Sequence, residues 1–141
     1  MNMNITPKKQ KAIFFTVVSL YILILLYLTI FRFNFYYDER RINLTLFIGL
    51  IKVFRNFGIG EFLKQFLGNI GWFVPLGFFL PVLIKRKSLL ITTAVGLLFS
   101  LFIEVMQFVF YKGVAELDDL ILNTLGTAIG YLLYRLSKKL F

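Results

Sequence analysis

The sequence of 141 residues contains no cysteine and no histidine, and both absences exclude kinds of chemistry. Without cysteine, the chain forms no disulfide and has no thiolate nucleophile. Without histidine, it lacks the commonest zinc ligand and the imidazole base of a catalytic triad. The groups left for chemistry are carboxylates, amides, hydroxyls and the cations of lysine and arginine.

Charged residues are also scarce, at 16% of the chain, whereas they make up about a quarter of a soluble domain. Hydrophobic residues make up 59% and aromatic residues 18%, and the mean hydropathy is +0.81. This composition excludes an ordinary cytosolic enzyme and a disordered chain. The length suits one domain, so we expect residues 1–141 to form a single membrane domain.

Four apolar runs are candidates to cross the roughly 30 Å hydrocarbon layer of a bilayer as helices. They cover residues 12–31, 62–84, 88–111 and 119–136. Because isolated strands cannot satisfy their backbone groups in lipid, the runs predict an all-α polytopic membrane protein with four transmembrane helices. The first run is longer than the apolar part of a signal peptide and no small-x-small cleavage site follows it, so we expect it to be retained.

Charge is distributed unequally between the two sides of this predicted bundle. The cations on one side are Lys8, Lys9, Lys11, Lys85, Arg86, Lys87, Arg135, Lys138 and Lys139. No acid joins them, whereas the other side carries seven cations, Arg32 among them, together with six acids. The positive-inside rule therefore predicts a multi-pass protein of the cell membrane with both termini in the cytoplasm. The net charge of +9 is a topology signal, and we expect no nucleic-acid partner.

The longest polar segment, residues 32–61, joins the first two spans on the outer side. Within it, residues 43–57 have helical periodicity. One face carries Thr45, Gly49, Lys52 and Asn56, and the opposite face carries Leu46, Leu50, Val53 and Phe57. The segment is too short and too charged to span, so it fits an interfacial helix on the outer leaflet or a loop helix packed on the bundle.

Two of the spans carry stripes of polar and small residues, although polarity is costly at membrane depth. The third span has Thr93, Gly96, Ser100, Glu104 and Gln107 at helical spacing, and the fourth has Asp119, Asn123, Gly126 and Gly130. Glu104 is the acid well inside a span, roughly 10 Å from the outer end of its helix. A lone structural acid at that depth would be expensive, so Glu104 is predicted to be functional.

Six polar residues from three spans are therefore predicted to meet near the outer surface and form a ligand-binding pocket. They are Asn69, Glu104, Gln107, Asp118, Asp119 and Asn123. Structural roles compete with this interpretation: Asp118 is a good N-cap for the fourth helix, Asp119 favours its positive end, and the asparagines can bond neighbouring helices. Helix packing is the expected role of Pro75, Gly77, Gly126 and Gly130, the last two forming a GxxxG pair. The aromatic residues, Trp72 included, are expected to be mostly lipid-facing.

Four sequence blocks carry a family resemblance. Residues 40–47, RRINLTLF, contain Arg40, Asn43 and Thr45 and are similar to R-x-[LI]-N-L-x-P-F. Residues 69–77, NIGWFVPLG, are similar to N-x-x-x-F-x-P-x-G, and residues 104–108, EVMQF, to E-x-x-Q-F. Residues 118–126, DDLILNTLG, are similar to D-D-[ILV]-[ILV]-x-N-T-x-G. In this order the blocks resemble those of the VanZ family of small membrane proteins.

Two positions depart from the family pattern. Leu46 stands where the family has proline, and the arginine that many members carry before the paired acids is replaced near Gly113. The resemblance implies a membrane protein that lowers susceptibility to teicoplanin-type glycopeptides, or one that serves cell-envelope maintenance. The expected partners are membrane lipids and a lipid-linked wall precursor or lipoglycopeptide approaching the outer pocket.

Three functions compete on this reading of the sequence. The favoured one is a non-enzymatic protein that binds a lipid-like or glycopeptide ligand, with no cofactor and no metal. The second is an intramembrane enzyme acting on a lipid-linked wall substrate, with Glu104 as base and with Glu116, Asp118 and Asp119 as oxygen ligands for a divalent metal. The third is a small transporter or channel component, which would need an oligomer such as the GxxxG pair permits.

Overall fold

The computed structural model describes residues 6–31 and 38–140, most of which are helical. Helix α1 covers Pro7–Leu26 and continues as a π-helical turn, Tyr27–Phe31. The later helices are α2, Ile48–Leu83, α3, Leu89–Val109, and α4, Leu117–Leu140. Two short strands, β1 (Arg41–Asn43) and β2 (Val114–Glu116), were not predicted. The predicted all-α class is confirmed. Arg32, one of the cations assigned to the outer side, lies outside the described residues.

Within the described residues, three stretches are long and apolar enough to cross a membrane, which agrees with the prediction of a membrane protein. They are Pro7–Ile30, Ile48–Leu83 and Leu89–Val109. Helix α4, the predicted fourth span, is not among them.

Helices α1 and α3 begin at capping residues, which for α3 coincides with the predicted start at residue 88. The Thr6 side chain accepts a hydrogen bond from the Lys9 N–H, and Pro7 occupies the first helical position, where a missing N–H costs nothing. Ser88 caps α3 in the same way by accepting from the Ile91 N–H. Helix α1 therefore begins five residues before the predicted residue 12.

The outer segment and the second span are parts of one long helix, α2, which bends at Gly58. Gly58 has φ 83° and ψ −177°, torsions that glycine adopts without the strain a Cβ would cause. Pro75 and Pro81 lie inside α2 and leave its helical torsions intact. The sequence thus predicted the two helical pieces, and the bend at a single glycine joins them.

The predicted faces of the outer segment are only partly correct. Leu50 is buried as expected, but Phe57, predicted on the apolar face, is 71% exposed. Gly49, predicted on the polar face, lies against the bundle, because a Cβ there would come within 3.1 Å of Glu116 Oε1. The first part of α2 therefore packs on the β1–β2 side of the protein through Gly49 and Leu50.

Helix α4 packs most closely of all, against α2 on one side and α3 on the other. A Cβ at Gly126 would overlap the Ile70 carbonyl, and one at Gly130 would overlap the Val74 carbonyl. Gly77 of α2 meets the backbone of Thr127 in the same way. These glycines let the α2 and α4 backbones approach without side chains between them, which is the packing role expected of small residues in membrane helices.

Helix α1 packs on α2 through larger side chains. The rings of Phe14 and Phe79 lie 5.7 Å apart, and the Tyr21 hydroxyl donates to the Trp72 carbonyl. Leu25 joins Phe73 and Ile103 in the core. The resulting bundle has a basic end, which carries residues 85–87 and 135–139, and an acidic end, which carries Glu104, Glu116, Asp118 and Asp119.

Candidate functional site

A cavity of about 790 Å³ opens at the acidic end, between the end of α1, the bend of α2, and α3 and α4. Five of the six residues predicted to form a pocket line it: Asn69, Glu104, Gln107, Asp119 and Asn123. Further polar lining comes from Thr29, Glu61, Lys64 and Gln65, and apolar lining includes Phe57, Trp72, Phe73 and Ile103. Polar residues of α2, α3 and α4 thus line one cavity.

Three of the lining residues hold neighbouring helices together. Asn69 of α2 donates a side-chain hydrogen bond to Asp119 of α4. Asn123 of α4 donates to the Ser100 hydroxyl of α3 at 2.8 Å, and both side chains are buried. Gln107 of α3 donates to the Thr29 carbonyl, beyond the end of α1, at 2.9 Å. Asn69 and Asn123 thus form the predicted hydrogen bonds between helices and also line the cavity.

Glu104 has a partner that the sequence did not reveal. Its Oε2 accepts a hydrogen bond of 2.9 Å from the Glu116 N–H in β2, and the side chain is only 4% exposed. Helix α3 ends at Val109, so Glu104 lies five residues from its end and nearer the surface than predicted. The carboxylate therefore both lines the cavity and fixes the strand that leads into α4.

Asp118 departs from the prediction. It lies inside the first turn of α4 rather than at an N-cap position, and it does not line the cavity. Its Oδ1 accepts a 2.7 Å hydrogen bond from the Phe47 N–H, immediately before α2, and the residue is 1% exposed. Asp118 thus caps α2 across the fold instead of capping its own helix.

The polar stripe of α3 is displaced by one residue at its basic end. Thr93 was predicted to continue the stripe, but Thr92 is the buried threonine and its hydroxyl donates to the Ser88 carbonyl at 2.8 Å. Gly96, Ser100 and Glu104 are buried as the spacing of four requires. The inward face therefore follows positions 92, 96, 100 and 104.

The outer-loop motif reaches the acidic end through strand pairing. Strand β1 pairs in parallel with β2, placing Asn43 opposite Glu116. The Asn43 amide donates to Glu116 Oε1 at 3.5 Å, while its carbonyl oxygen accepts from the backbone N–H and the hydroxyl of Thr45. The Arg40 guanidinium lies over the rings of Phe108 and Tyr111, at 5.5 and 5.0 Å from their centroids. The motif therefore holds the loop onto the ends of α3 and β2.

Comparison with known proteins decides the family. The VanZ/LLP1 family model matches residues 18–138. Protein VanZ of Enterococcus faecium is 33% identical over 128 residues, which cover 86% of this chain and 73% of that protein. The chain belongs to the VanZ family. No solved structure matches it.

The four VanZ-like sequence blocks meet at the acidic end. The first block contacts the fourth through Phe47 and Asp118, and the second contacts the fourth through Asn69 and Asp119. The third block reaches the β2 segment, just ahead of the fourth, through Glu104. The resemblance therefore corresponds to one contiguous set of contacts around the cavity.

The carboxylates of this VanZ family member are separated by their partners rather than gathered around one point. Glu116 bonds to Asn43, Asp118 to Phe47 and Asp119 to Asn69. Among residues 6–31 and 38–140, no group of three or more acidic side chains is placed to hold a metal ion. The cavity wall offers carboxylate and amide groups for hydrogen bonding instead.

The sequence indicated Glu116 only as an alternative metal ligand. In the structure it contacts three parts of the site: its N–H donates to Glu104 of α3, its carboxylate accepts from Asn43 of β1, and its Oε1 lies beside Gly49 of α2. Glu116 lies outside the apolar spans. Burial raises the pKa of its carboxyl above the ordinary value, and the nearby charge of Asp118 raises it further, whereas the hydrogen bond from Asn43 lowers it. Only the pairing of β1 with β2 brings Asn43 to it, and nothing in the local sequence signals that pairing.

We expect Glu116→Gln to raise the thermal unfolding midpoint at neutral pH and to change it little near pH 4. A carboxyl whose pKa is raised on folding stabilises the folded state when protonated, so its contribution falls as pH rises from about 4 through the folded-state pKa. The glutamine keeps an oxygen that can accept the hydrogen bond from the Asn43 amide, but it has no carboxyl group that titrates. Circular-dichroism melts across this pH range, with the exposed Glu39→Gln as the matched control, measure the difference. A constant offset between the Glu116→Gln and wild-type midpoints at every pH would contradict it.

Proposed function

We propose that this VanZ family member is a four-span protein of the cell membrane that lowers susceptibility to teicoplanin-type glycopeptides by binding a ligand in its outward-facing polar cavity. A role in ordinary envelope maintenance would use the same cavity. The observation that carries the proposal is that Asn69, Glu104, Gln107, Asp119 and Asn123 line the same cavity.

Helix α4 is proposed as the fourth span. Its 24 residues would reach about 36 Å, enough for the hydrocarbon layer of roughly 30 Å. Its close packing against α2 and α3 covers polar residues such as Asn123 and Thr127, which are 5% and 0% exposed. The face turned away from α2 and α3 exposes apolar residues such as Leu125 and Leu133, which suit contact with lipid.

The orientation follows from the two ends of the bundle. All side-chain carboxylates lie toward the acidic end or in the adjoining outer segment, while residues 85–87 and 135–139 contribute cations at the other end. The positive-inside rule assigns the basic end to the cytoplasm and opens the cavity outward. A ligand at the cell surface would then approach the cavity from the side of Glu61 and Lys64.

The cavity lining favours a ligand with amines and amides. Three carboxyls, Glu61, Glu104 and Asp119, face one cation, Lys64, which is already within 3.4 Å of Glu61. Side-chain amides and the aromatic rings of Trp72 and Phe73 supply hydrogen bonds and apolar contact. A lipophilic glycopeptide offers peptide groups and an apolar tail, whereas a wall precursor joined to lipid through phosphate would bring anionic charge against the carboxyls.

The contacts support binding over the two competing functions. In the enzyme alternative Asp118 would be an oxygen ligand for a metal, but its Oδ1 accepts from the Phe47 N–H and it lies outside the cavity lining. In the transporter alternative the GxxxG pair would join two copies, but Gly126 and Gly130 face Ile70 and Val74 of the same chain. The enzyme alternative thereby loses one of its proposed metal ligands, and the transporter alternative loses its proposed contact between copies.

Expression of the chain in a susceptible Gram-positive host is expected to raise the inhibitory concentration of teicoplanin more than that of vancomycin. Glu104→Gln is expected to return the inhibitory concentration of teicoplanin to that of cells carrying the empty vector. Glutamine can still accept from the Glu116 N–H, so the variant keeps that hydrogen bond while it removes the acidic group from the cavity. Inhibitory concentrations at matched membrane expression measure the effect.

Glu39→Gln provides the control, because Glu39 is exposed in the outer segment and lies outside the cavity lining. It removes the same charge and is expected to behave as wild type. Full resistance with Glu104→Gln would exclude the cavity carboxylate from the function. Equal loss with both variants would attribute the effect to outer charge in general.

A further inference from the structure

A second concave surface lies at the basic end, remote from the cavity. It is a groove of about 750 Å³ between the start of α3 and the end of α4. Its cations are Lys87, Arg135 and Lys139, its apolar walls are Leu89, Leu132 and Leu136, and Ser88 and Tyr131 complete the lining. We call it the basic groove. The proposed function uses none of these residues.

The cations of the basic groove have no carboxylate side chain to pair with. All seven acids of the chain lie within the described residues and belong to the acidic end or the outer segment: Asp38, Glu39, Glu61, Glu104, Glu116, Asp118 and Asp119. Glu61 pairs with Lys64, far from the groove. The positive potential of the groove is therefore not cancelled by a nearby acid and favours an anion.

Tyr131 positions one of the cations. Its hydroxyl donates to the Lys87 carbonyl at 2.8 Å and accepts from Arg135 Nη1 at 3.2 Å, and the residue is 4% exposed. The guanidinium is thereby held beside the loop that precedes α3, with donors left for another acceptor. The α3 N-terminus adds partial positive charge to the same place.

The apolar walls indicate which anion fits. Leu132 and Leu136 are 51% and 54% exposed, and Leu89 is 43% exposed, although all three flank the cations. In the proposed membrane orientation a lipid acyl chain would lie against these leucines while the phosphate of the same molecule met the cations. Basic clusters next to apolar helix surface are the usual site for acidic lipid headgroups.

We propose that the basic groove binds an anionic phospholipid, with its phosphate between Arg135, Lys87 and Lys139 and an acyl chain along the leucines. The occupant comes from the same membrane in which the protein resides. The site is independent of the outer cavity, since α4 separates the two along most of its length.

The test compares lipid retention by the purified full chain. Native mass spectrometry with phosphatidylglycerol and phosphatidylcholine in the same micelles is expected to show retention of phosphatidylglycerol. The triple variant Lys87→Gln, Arg135→Gln and Lys139→Gln is expected to bind it at least about tenfold more weakly, because each cation near a lipid surface contributes to anion binding. The control removes the same charge from Lys8, Lys9 and Lys11, which are exposed at the start of α1.

Two further variants keep the proposal testable if the triple variant does not fold. Tyr131→Phe keeps every charge but releases Arg135, and it is expected to weaken phosphatidylglycerol binding, with only the small fall in melting midpoint that loss of one hydrogen bond to the Lys87 carbonyl causes. Arg135→Lys keeps the charge and is expected to retain the preference for phosphatidylglycerol over phosphatidylcholine.

Three results would overturn the proposal. One is equal loss of binding in the α1 control, which would attribute retention to general surface charge. Another is full retention in both the triple variant and Tyr131→Phe. The third is displacement of the lipid by soluble glycerol phosphate as effectively as by phosphatidylglycerol, which would identify a free-phosphate site. Teicoplanin susceptibility does not enter these outcomes, so the two proposals fail separately.

Discussion

Gly126→Ala is expected to destabilise the folded protein by about 3 kcal/mol, although it adds a single methyl group. That methyl would overlap the Ile70 carbonyl and lie 3.0 Å from the carbonyl carbon. Both atoms belong to the backbone of α2, so no side-chain rotation relieves the overlap. Separation of α4 from α2 would also strain the bond between Asn69 and Asp119. Thermal and denaturant unfolding of the purified chain in detergent measure the loss.

Gly71→Ala is the matched control for this change. Gly71 also lies in α2, but a Cβ there would have no atom within 4 Å. Alanine is a better helix former than glycine by up to about 1 kcal/mol, so this variant is expected to be unchanged or slightly more stable. Equal midpoints for the two variants would show that close approach of α2 and α4 is not required for stability.

Asp118→Ala is expected to cost about 2 to 3 kcal/mol, since it leaves the Phe47 N–H without its charged acceptor. Phe47 has φ 57°, a left-handed conformation that is unfavourable for a residue with a large side chain. The hydrogen bond helps to hold that turn, from which α2 begins. We therefore also expect faster hydrogen exchange at the Phe47 amide and in β1, beyond the drop in the unfolding midpoint.

Asp118→Asn separates the hydrogen bond from the charge. Its amide oxygen can still accept from Phe47, so we expect a smaller loss than with alanine. The exposed Asp38→Ala is the control and is expected to stay within about 0.5 kcal/mol of wild type. Unchanged exchange at Phe47 in Asp118→Ala would mean that the α2 turn is fixed by other contacts.

The two proposed sites divide the molecule by charge. The cavity at the acidic end combines carboxyls with amides, and the basic groove combines cations with leucines. Helix α4 contributes to both, through Asp119 and Asn123 at one end and Arg135 and Lys139 at the other. A change such as Gly126→Ala, which lies between them, is therefore expected to weaken both ligand interactions together, unlike Glu104→Gln or Tyr131→Phe.

Part of the site was predictable from local sequence. Spacings of three and four placed Gly96, Ser100 and Glu104 on one face of α3 and Asn123 and Gly126 on one face of α4. The structure brings these faces together, with Asn123 bonded to Ser100. Helical periodicity suffices here because it fixes which side chains share a face, and burial of polar groups then favours their meeting.

The sequence by itself determined the membrane class, the helical segments, the unequal charge of the two ends and the family. Each of these depends on composition, local periodicity or motif order. Tertiary structure alone decided the β1–β2 pairing, the bond between Asp118 and Phe47, and the role of Glu116. These contacts join residues about 70 positions apart in the chain, apart from the one between Glu104 and Glu116. No periodicity links such positions, so their partners are fixed only when α4 packs between α2 and α3 and carries the preceding strand to the outer loop.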